Sequence, residues 1–77
     1  MTAYIDLKLY ATLKKLSPPS PEKYPVEPGT TVLSVIEKLG IPKNEAKLVF
    51  INGIISELTT PLHGGERVGI FPPVGGG

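Results

Sequence analysis

Residues 28–42 read PGTTVLSVIEKLGIP, and the fold turns on how this stretch is read. Thr30 or Thr31 supplies an N-cap hydroxyl, and Val32, Leu33, Val35, Ile36 and Leu39 then fall on one stripe of a 3.6-residue period. Gly40 stands where a left-handed residue ends a helix, Ile41 can fold back on the last turn, and Pro42 blocks continuation. A short helix with one apolar face must bury that face against a second layer.

On either side the period drops to two. In AYIDLKLY, residues 3–10, Ile5, Leu7 and Leu9 alternate with Tyr4, Asp6, Lys8 and Tyr10, the pattern of a strand with one buried face. The following ATLKKL reads as a short apolar and basic continuation. SPPSPEKYP, residues 17–25, holds four prolines and reads as a surface loop, since proline removes backbone donors and is excluded from helix interiors and central strands. KYPVEP allows a brief edge strand around Val26. In KLVFINGIISEL, two apolar runs flank Asn52 and Gly53, the pair that a type I′ hairpin turn favours. TTPLHGGERVGIF gives a turn or one 3₁₀ turn at Pro61 and Leu62, a second turn from Gly64 to Glu66, and a last strand from Arg67 to Phe71.

The predicted order is β, β, α, β, β, β, with the first and last strands paired centrally. One helix across a mixed four- to five-stranded sheet is an α+β arrangement of the β-grasp, or ubiquitin-like, kind, although the same order is compatible with other α+β topologies. The 77 residues suit one domain over 1–77, with residues 72–77 expected to form a flexible tail. Val68 and Ile70 should face the core, which puts Gly69 and an exposed Phe71 on the other face with Tyr4 and Tyr10.

Composition excludes much chemistry. There is no cysteine, so disulfides, thiolate metal sites and cysteine nucleophiles are out of reach. Eight Lys or Arg against seven Asp or Glu give a net charge of +1, without a basic block for nucleic acid. The opening MTAYIDLKLY has neither the basic start nor the apolar run of a signal peptide or membrane span, so the cytoplasm is the expected location. His63 has no second His or Cys with which to share a metal, and Ser34 and Ser56 lack a glycine elbow. HGGER is glycine-rich but follows no strand-to-helix turn, which makes it a tight turn rather than a phosphate loop. No cofactor or metal is therefore expected to be bound, and the isolated chain is not expected to be an enzyme.

The ending FPPVGGG, residues 71–77, offers a different kind of chemistry. Pro72 and Pro73 bias the backbone toward an extended stem, and glycines have no Cβ, so the tip could thread a channel too narrow for side chains. The reactive group is then the carboxylate of Gly77. A carboxylate is a poor electrophile and needs activation, most simply by ATP to an acyl-adenylate, before sulfur or an amine can attack it. The nucleophiles must come from partners, which points to a carrier or modifier.

VLSVIEKLG, LKLYATL and above all VFINGIISELTTPLHGGERVGIFPPVGGG resemble the MoaD/ThiS group of ubiquitin-like sulfur carriers, and the ending GGERVGIFPPVGGG is most similar to the small subunit of molybdopterin synthase. The resemblance implies that a MoeB-like activating enzyme, using ATP and magnesium, adenylates Gly77. A sulfurtransferase or cysteine desulfurase system would make the thiocarboxylate, and a MoaE-like large subunit would receive the sulfur for the molybdopterin dithiolene. By the same resemblance Gly76 and Gly77 carry the diglycine role, and Phe71, Pro72, Pro73 and Val74 pack against both partners; Gly75 extends the minimal pattern, standing where other members can have Ser, Thr or Ala, and adds flexibility to the partner-binding tail. Carriers for thiamine, tRNA thiolation or cysteine synthesis, and ubiquitin-like protein modifiers, share such a tail. From a different class, a non-covalent interaction module with an incidental glycine tail fits the same residues.

Overall fold

The computed structural model describes residues 2–46 and 48–73. The chain begins with strand β1 (Ala3–Leu9) and continues through β2 (Tyr24–Val26), β3 (Thr30–Thr31), helix α1 (Val32–Leu39), β4 (Leu48–Ile51), β5 (Ile54–Ser56), β6 (Pro61–Leu62) and β7 (Arg67–Phe71). Five of these strands form one mixed sheet in the order β2-β1-β7-β4-β5, and β3 pairs with β6 in a separate two-stranded ribbon. The first and last long strands pair centrally, as expected, and run parallel, Leu7 opposite Val68 and Leu9 opposite Ile70. β7 also pairs antiparallel with β4, Val49 opposite Ile70, so the last strand is the middle of the sheet.

The helix forms as its sequence dictates. Ser34 donates its backbone N–H to Thr31 Oγ1 at 3.2 Å, so Thr31 is the N-cap. At the other end Gly40 takes φ 78°, ψ 19°, and the Ile41 N–H donates to the Ile36 carbonyl at 3.1 Å, closing the last turn. Val32, Val35 and Ile36 are buried and join Ile5, Leu7, Leu9, Val49, Val68 and Ile70 in one cluster. Each such side chain contributes about 1.5–3 kcal/mol by leaving water. Leu33 and Leu39 lie at the margin of the stripe, half-buried. The Asn52–Gly53 turn has positive φ at both positions, 53° and 82°, the type I′ geometry expected.

Four sequence expectations are corrected. ATLKKL does not continue β1 but forms a 3₁₀ helix, Ala11–Leu16. Ala11 adopts φ 53° and turns the chain out of the strand, so that Leu13, whose N–H donates to the Tyr10 carbonyl, is only 2% exposed. Burial of Leu13 thus outweighs the local strain, about 1–2 kcal/mol for a left-handed residue with a Cβ. The proline-rich loop also contains a 3₁₀ turn, Pro21–Lys23. Pro61 and Leu62 are not a turn: they are β6, opposite Thr31 and Thr30. The ribbon is stable because Leu62 is fully buried and the Gly29 N–H donates to its carbonyl at 2.7 Å. Phe71, expected to be exposed, is half-buried for a reason given below.

The turn into β7 depends on one close approach. Gly64 has φ 122°, and a Cβ there would lie 2.7 Å from the Cβ of Ala3. The neighbouring Gly65 donates its N–H to the Tyr4 carbonyl at 2.7 Å, clamping the turn to β1, yet faces open space itself. Gly64→Ala should therefore lower stability by about 3 kcal/mol, combining backbone strain with overpacking. Gly65→Ala should cost only about 1 kcal/mol of left-handed strain. Urea unfolding of the two variants measures the difference directly.

Candidate functional site

The helix covers one face of the sheet and leaves the other bare. On that outer face the register brings side chains into rows across strands. Lys8, Gly69, Phe50 and Ile55 are successive cross-strand neighbours, as are Phe71 and Leu48, with Asp6 beside Arg67 at the far end. The row at the end of β7, where the chain leaves the sheet, is apolar, and the row at its start is charged.

Phe71 is the centre of the apolar row. Its ring stacks on Tyr10 with centroids 4.1 Å apart and planes within 3°, and meets the edge of Phe50 at 5.4 Å and 74°. Such pairs are worth about 0.5–1.5 kcal/mol each beyond area burial. The stack explains why Phe71 is half-buried. Gly69 lies beneath it: a Cβ at that position would be 3.3 Å from Tyr10 Cε2 and 3.8 Å from Phe71 Cε1. A shallow concavity above Gly69 is bounded by Tyr10, Phe50, Phe71, Lys8, Asp6 and Arg67. Leu48, Ile54 and Ile55 are the most exposed large aliphatic side chains among the described residues, at 36%, 69% and 66%. Leu48 and Ile55 extend the aromatic patch toward the β5 edge.

Two polar devices hold the start of β7. Asn52 donates its N–H to the Arg67 carbonyl at 2.8 Å and accepts the Arg67 N–H on Oδ1 at 2.9 Å, tying the hairpin turn to the last strand. Glu66 accepts the N–H of His63 on Oε2 at 2.8 Å and that of Gly64 on Oε1 at 2.7 Å. Partial burial alone would raise the Glu66 carboxyl, but these backbone hydrogen bonds and the nearby imidazole outweigh it and hold the group below the usual carboxylate range. The exposed His63 serves here through its backbone. Ser34 likewise serves the helix cap through its N–H, and Ser56 donates its hydroxyl to the Ile54 carbonyl. Among the described residues no group of three His, Asp or Glu side chains could hold a metal, and no helix is long and apolar enough to cross a membrane.

The residues predicted from sequence divide at Pro73. Phe71, Pro72 and Pro73 leave the sheet beside the aromatic patch, Pro72 half-buried and Pro73 exposed. Val74, Gly75, Gly76 and Gly77 lie outside the described residues, as does most of the predicted tail. Phe50 was missed by the sequence reading. Its signal was the alternation within LVFI, where Val49 faces the core and Phe50 cannot.

The family model that matches the chain is that of the ThiS family, over residues 7–77. No curated protein matches it significantly. Among solved structures, the HVO 2177 protein of Haloferax volcanii is 25% identical, with a TM-score of 0.72 over 99% of this chain and 88% of that one. Small archaeal modifier protein 1 of H. volcanii is 22% identical, TM-score 0.65, over 94% of this chain and 99% of its own. A Pyrococcus furiosus protein assigned as molybdopterin converting factor, subunit 1, is 20% identical, TM-score 0.61, with the same coverage of 94% and 99%. The last two are likenesses of fold, and with the first they bear out the β-grasp expected from the element order.

Because the folded Glu66 is held below its unfolded value, the stability it contributes is complete above an ordinary glutamate value of about 4.3. It is lost as the pH falls through the lowered folded value. Glu66→Gln should be less stable than the parent at neutral pH, with the gap closing in acid. Paired urea titrations from pH 7 to about pH 3 test this, and a pH-independent gap would mean that the carboxylate charge is not what holds the turn.

Proposed function

The chain belongs to the ThiS family, and on that premise we propose that it is a sulfur carrier whose reactive group is the carboxylate of Gly77. The observation that carries this reading is the placement of Phe71, Pro72 and Pro73. The central strand of the sheet runs straight into the Pro72–Pro73 stem, beside an extended apolar patch on the uncovered face. A carrier needs a rigid docking face next to a slender reactive end, and the aromatic patch together with the FPPVGGG ending supports that reading.

In this reading the outer face, with Tyr10, Phe50, Phe71 and Leu48, docks on an E1-like, MoeB-like activating enzyme. That enzyme supplies ATP and magnesium. The Gly77 carboxylate attacks the α-phosphate, pyrophosphate leaves, and the acyl-adenylate forms. A persulfide on a sulfurtransferase or cysteine desulfurase system adds to the carbonyl and expels AMP, giving an acyl disulfide; a second thiol of that system then cleaves the S–S bond, the two thiols leaving as a disulfide and the chain's end as a thiocarboxylate. The chain then docks on a MoaE-like large subunit as the small subunit of molybdopterin synthase, and its sulfur passes to the pterin dithiolene. Residues 76 and 77 must enter both active sites, which favours residues without side chains. The FPPV stem and the likeness to a molybdopterin converting factor subunit support the molybdopterin pathway over thiamine, tRNA thiolation or cysteine synthesis.

A second reading is favoured by the likeness to small archaeal modifier protein 1. The same adenylate would be captured by a lysine amine, giving an isopeptide and a ubiquitin-like protein modifier. The two readings share activation and differ in the nucleophile.

With the cognate activating enzyme and labelled pyrophosphate, the full chain should support ATP–pyrophosphate exchange. A chain lacking Gly76 and Gly77 should not. Adding the sulfur donor should give an intact mass about 16 Da higher, one sulfur replacing one oxygen, whereas isopeptide adducts would favour the modifier reading. Exchange that survives the deletion would end both. Phe71→Ala should weaken binding to the large subunit by about 1–3 kcal/mol in titration calorimetry, with the circular dichroism of the fold retained.

A further inference from the structure

The aromatic stack does more than furnish an apolar surface. Tyr10 follows β1 with an extended backbone, φ −115° and ψ 157°, and its N–H donates to the Ile70 carbonyl at 3.2 Å. The parallel ladder therefore runs one residue past Leu9, and Tyr10 stands alongside Phe71, the last residue of β7. Immediately afterwards Ala11 turns the chain away in the left-handed conformation, φ 53°. The turn leaves Tyr10 at the end of the ladder rather than in a longer strand.

Phe71 is consequently held on several sides. Tyr10 covers one face of its ring and Phe50 presents an edge. Gly69 leaves the space that the paired rings occupy, a Cβ there coming within 3.3 Å of Tyr10 Cε2. The residue so held is the one before Pro72, and a residue preceding proline is confined to extended backbone. Pro72 and Pro73 then fix their own φ. From the Tyr10 ring to Pro73 there is little rotational freedom to spend, so the direction in which the stem leaves the sheet is set by the stack.

We infer that Tyr10 is a positioning residue for the carrier's reactive end: by stacking on Phe71 above Gly69 it fixes the exit direction of the Pro72–Pro73 stem. This rests on the sulfur-carrier reading. Docking of the outer face governs how tightly an activating enzyme holds the chain, whereas stem direction governs the fraction of docked chains whose end lies in the active site. The first appears mainly in KM and the second in kcat. Pre-setting the direction removes an orientational cost that each turnover would otherwise meet.

The test uses full-length chain and activating enzyme in ATP–pyrophosphate exchange. Tyr10→Ala should lower kcat on the order of ten-fold, and Tyr10→Phe, which keeps the ring, should restore it. The deciding comparison is made in a Pro72→Gly/Pro73→Gly background, where the stem is uncoupled from the sheet. There Tyr10→Ala should lower kcat no further. An equal loss in both backgrounds would overturn the inference and leave Tyr10 a simple contact residue. In the free chain, Cα–Hα residual dipolar couplings of Pro72 and Pro73 should fit the alignment tensor given by the β7 residues and shrink at least two-fold in Tyr10→Ala, while those of Val68 and Ile70 stay unchanged. Unchanged proline couplings would overturn it as well. Because the couplings need no enzyme, a parent chain that supports no exchange defeats the carrier reading while the couplings still decide whether Tyr10 aims the stem.

Discussion

The parallel pairing of β1 with β7 is the constraint from which the remaining architecture follows. Parallel neighbours cannot be joined by a hairpin and need a crossover that covers one face of the sheet. α1 covers that face, with Val32, Val35 and Ile36 against the inward side chains of both strands. Since β7 is also flanked by β4, the last strand is enclosed on both edges and, through Val68 and Ile70, on its inner face. Only the outer face and the C-terminal end of this strand remain available.

A core of 14 buried apolar residues occupies the space between helix and sheet, and no buried polar side chain is found among the described residues. The polar groups that matter structurally work on backbone N–H groups instead: Thr31 at the helix start, Asn52 at the hairpin and Glu66 at the entry to β7. Each fixes one end of an element that the hydrophobic cluster alone would leave free to slide.

Much of this was legible in the residues. The helix stripe with Gly40 behind it, the Asn52–Gly53 turn and the alternation of Ile5, Leu7 and Leu9 each state a local preference that the tertiary structure also satisfies. The failures share a cause. ATLKKL has no periodicity of its own, and its 3₁₀ conformation follows from the burial of Leu13, a tertiary effect. Pro61 and Leu62 have the composition of a turn and become a strand because Thr30 and Thr31 are there to pair with. The exposure of Phe71 was misjudged because alternation gives the face on which a side chain lies, not what stands next to it. Tyr10 and Phe50 reach Phe71 only through pairings between distant segments, and no local window contains all three.

The central place of β7 has a bearing on how the molecule comes into being. Contacts such as Asp6 with Arg67 join opposite ends of the sequence, and closing so long a loop carries a large entropic cost that is met only when most of the chain has condensed. The helix and the Asn52–Gly53 hairpin can form early from local contacts. The strand that bears the stem can dock only into the gap between β1 and β4, so its insertion completes the sheet. A molecule whose sheet is unfinished therefore has no fixed strand from which Pro72 and Pro73 can leave.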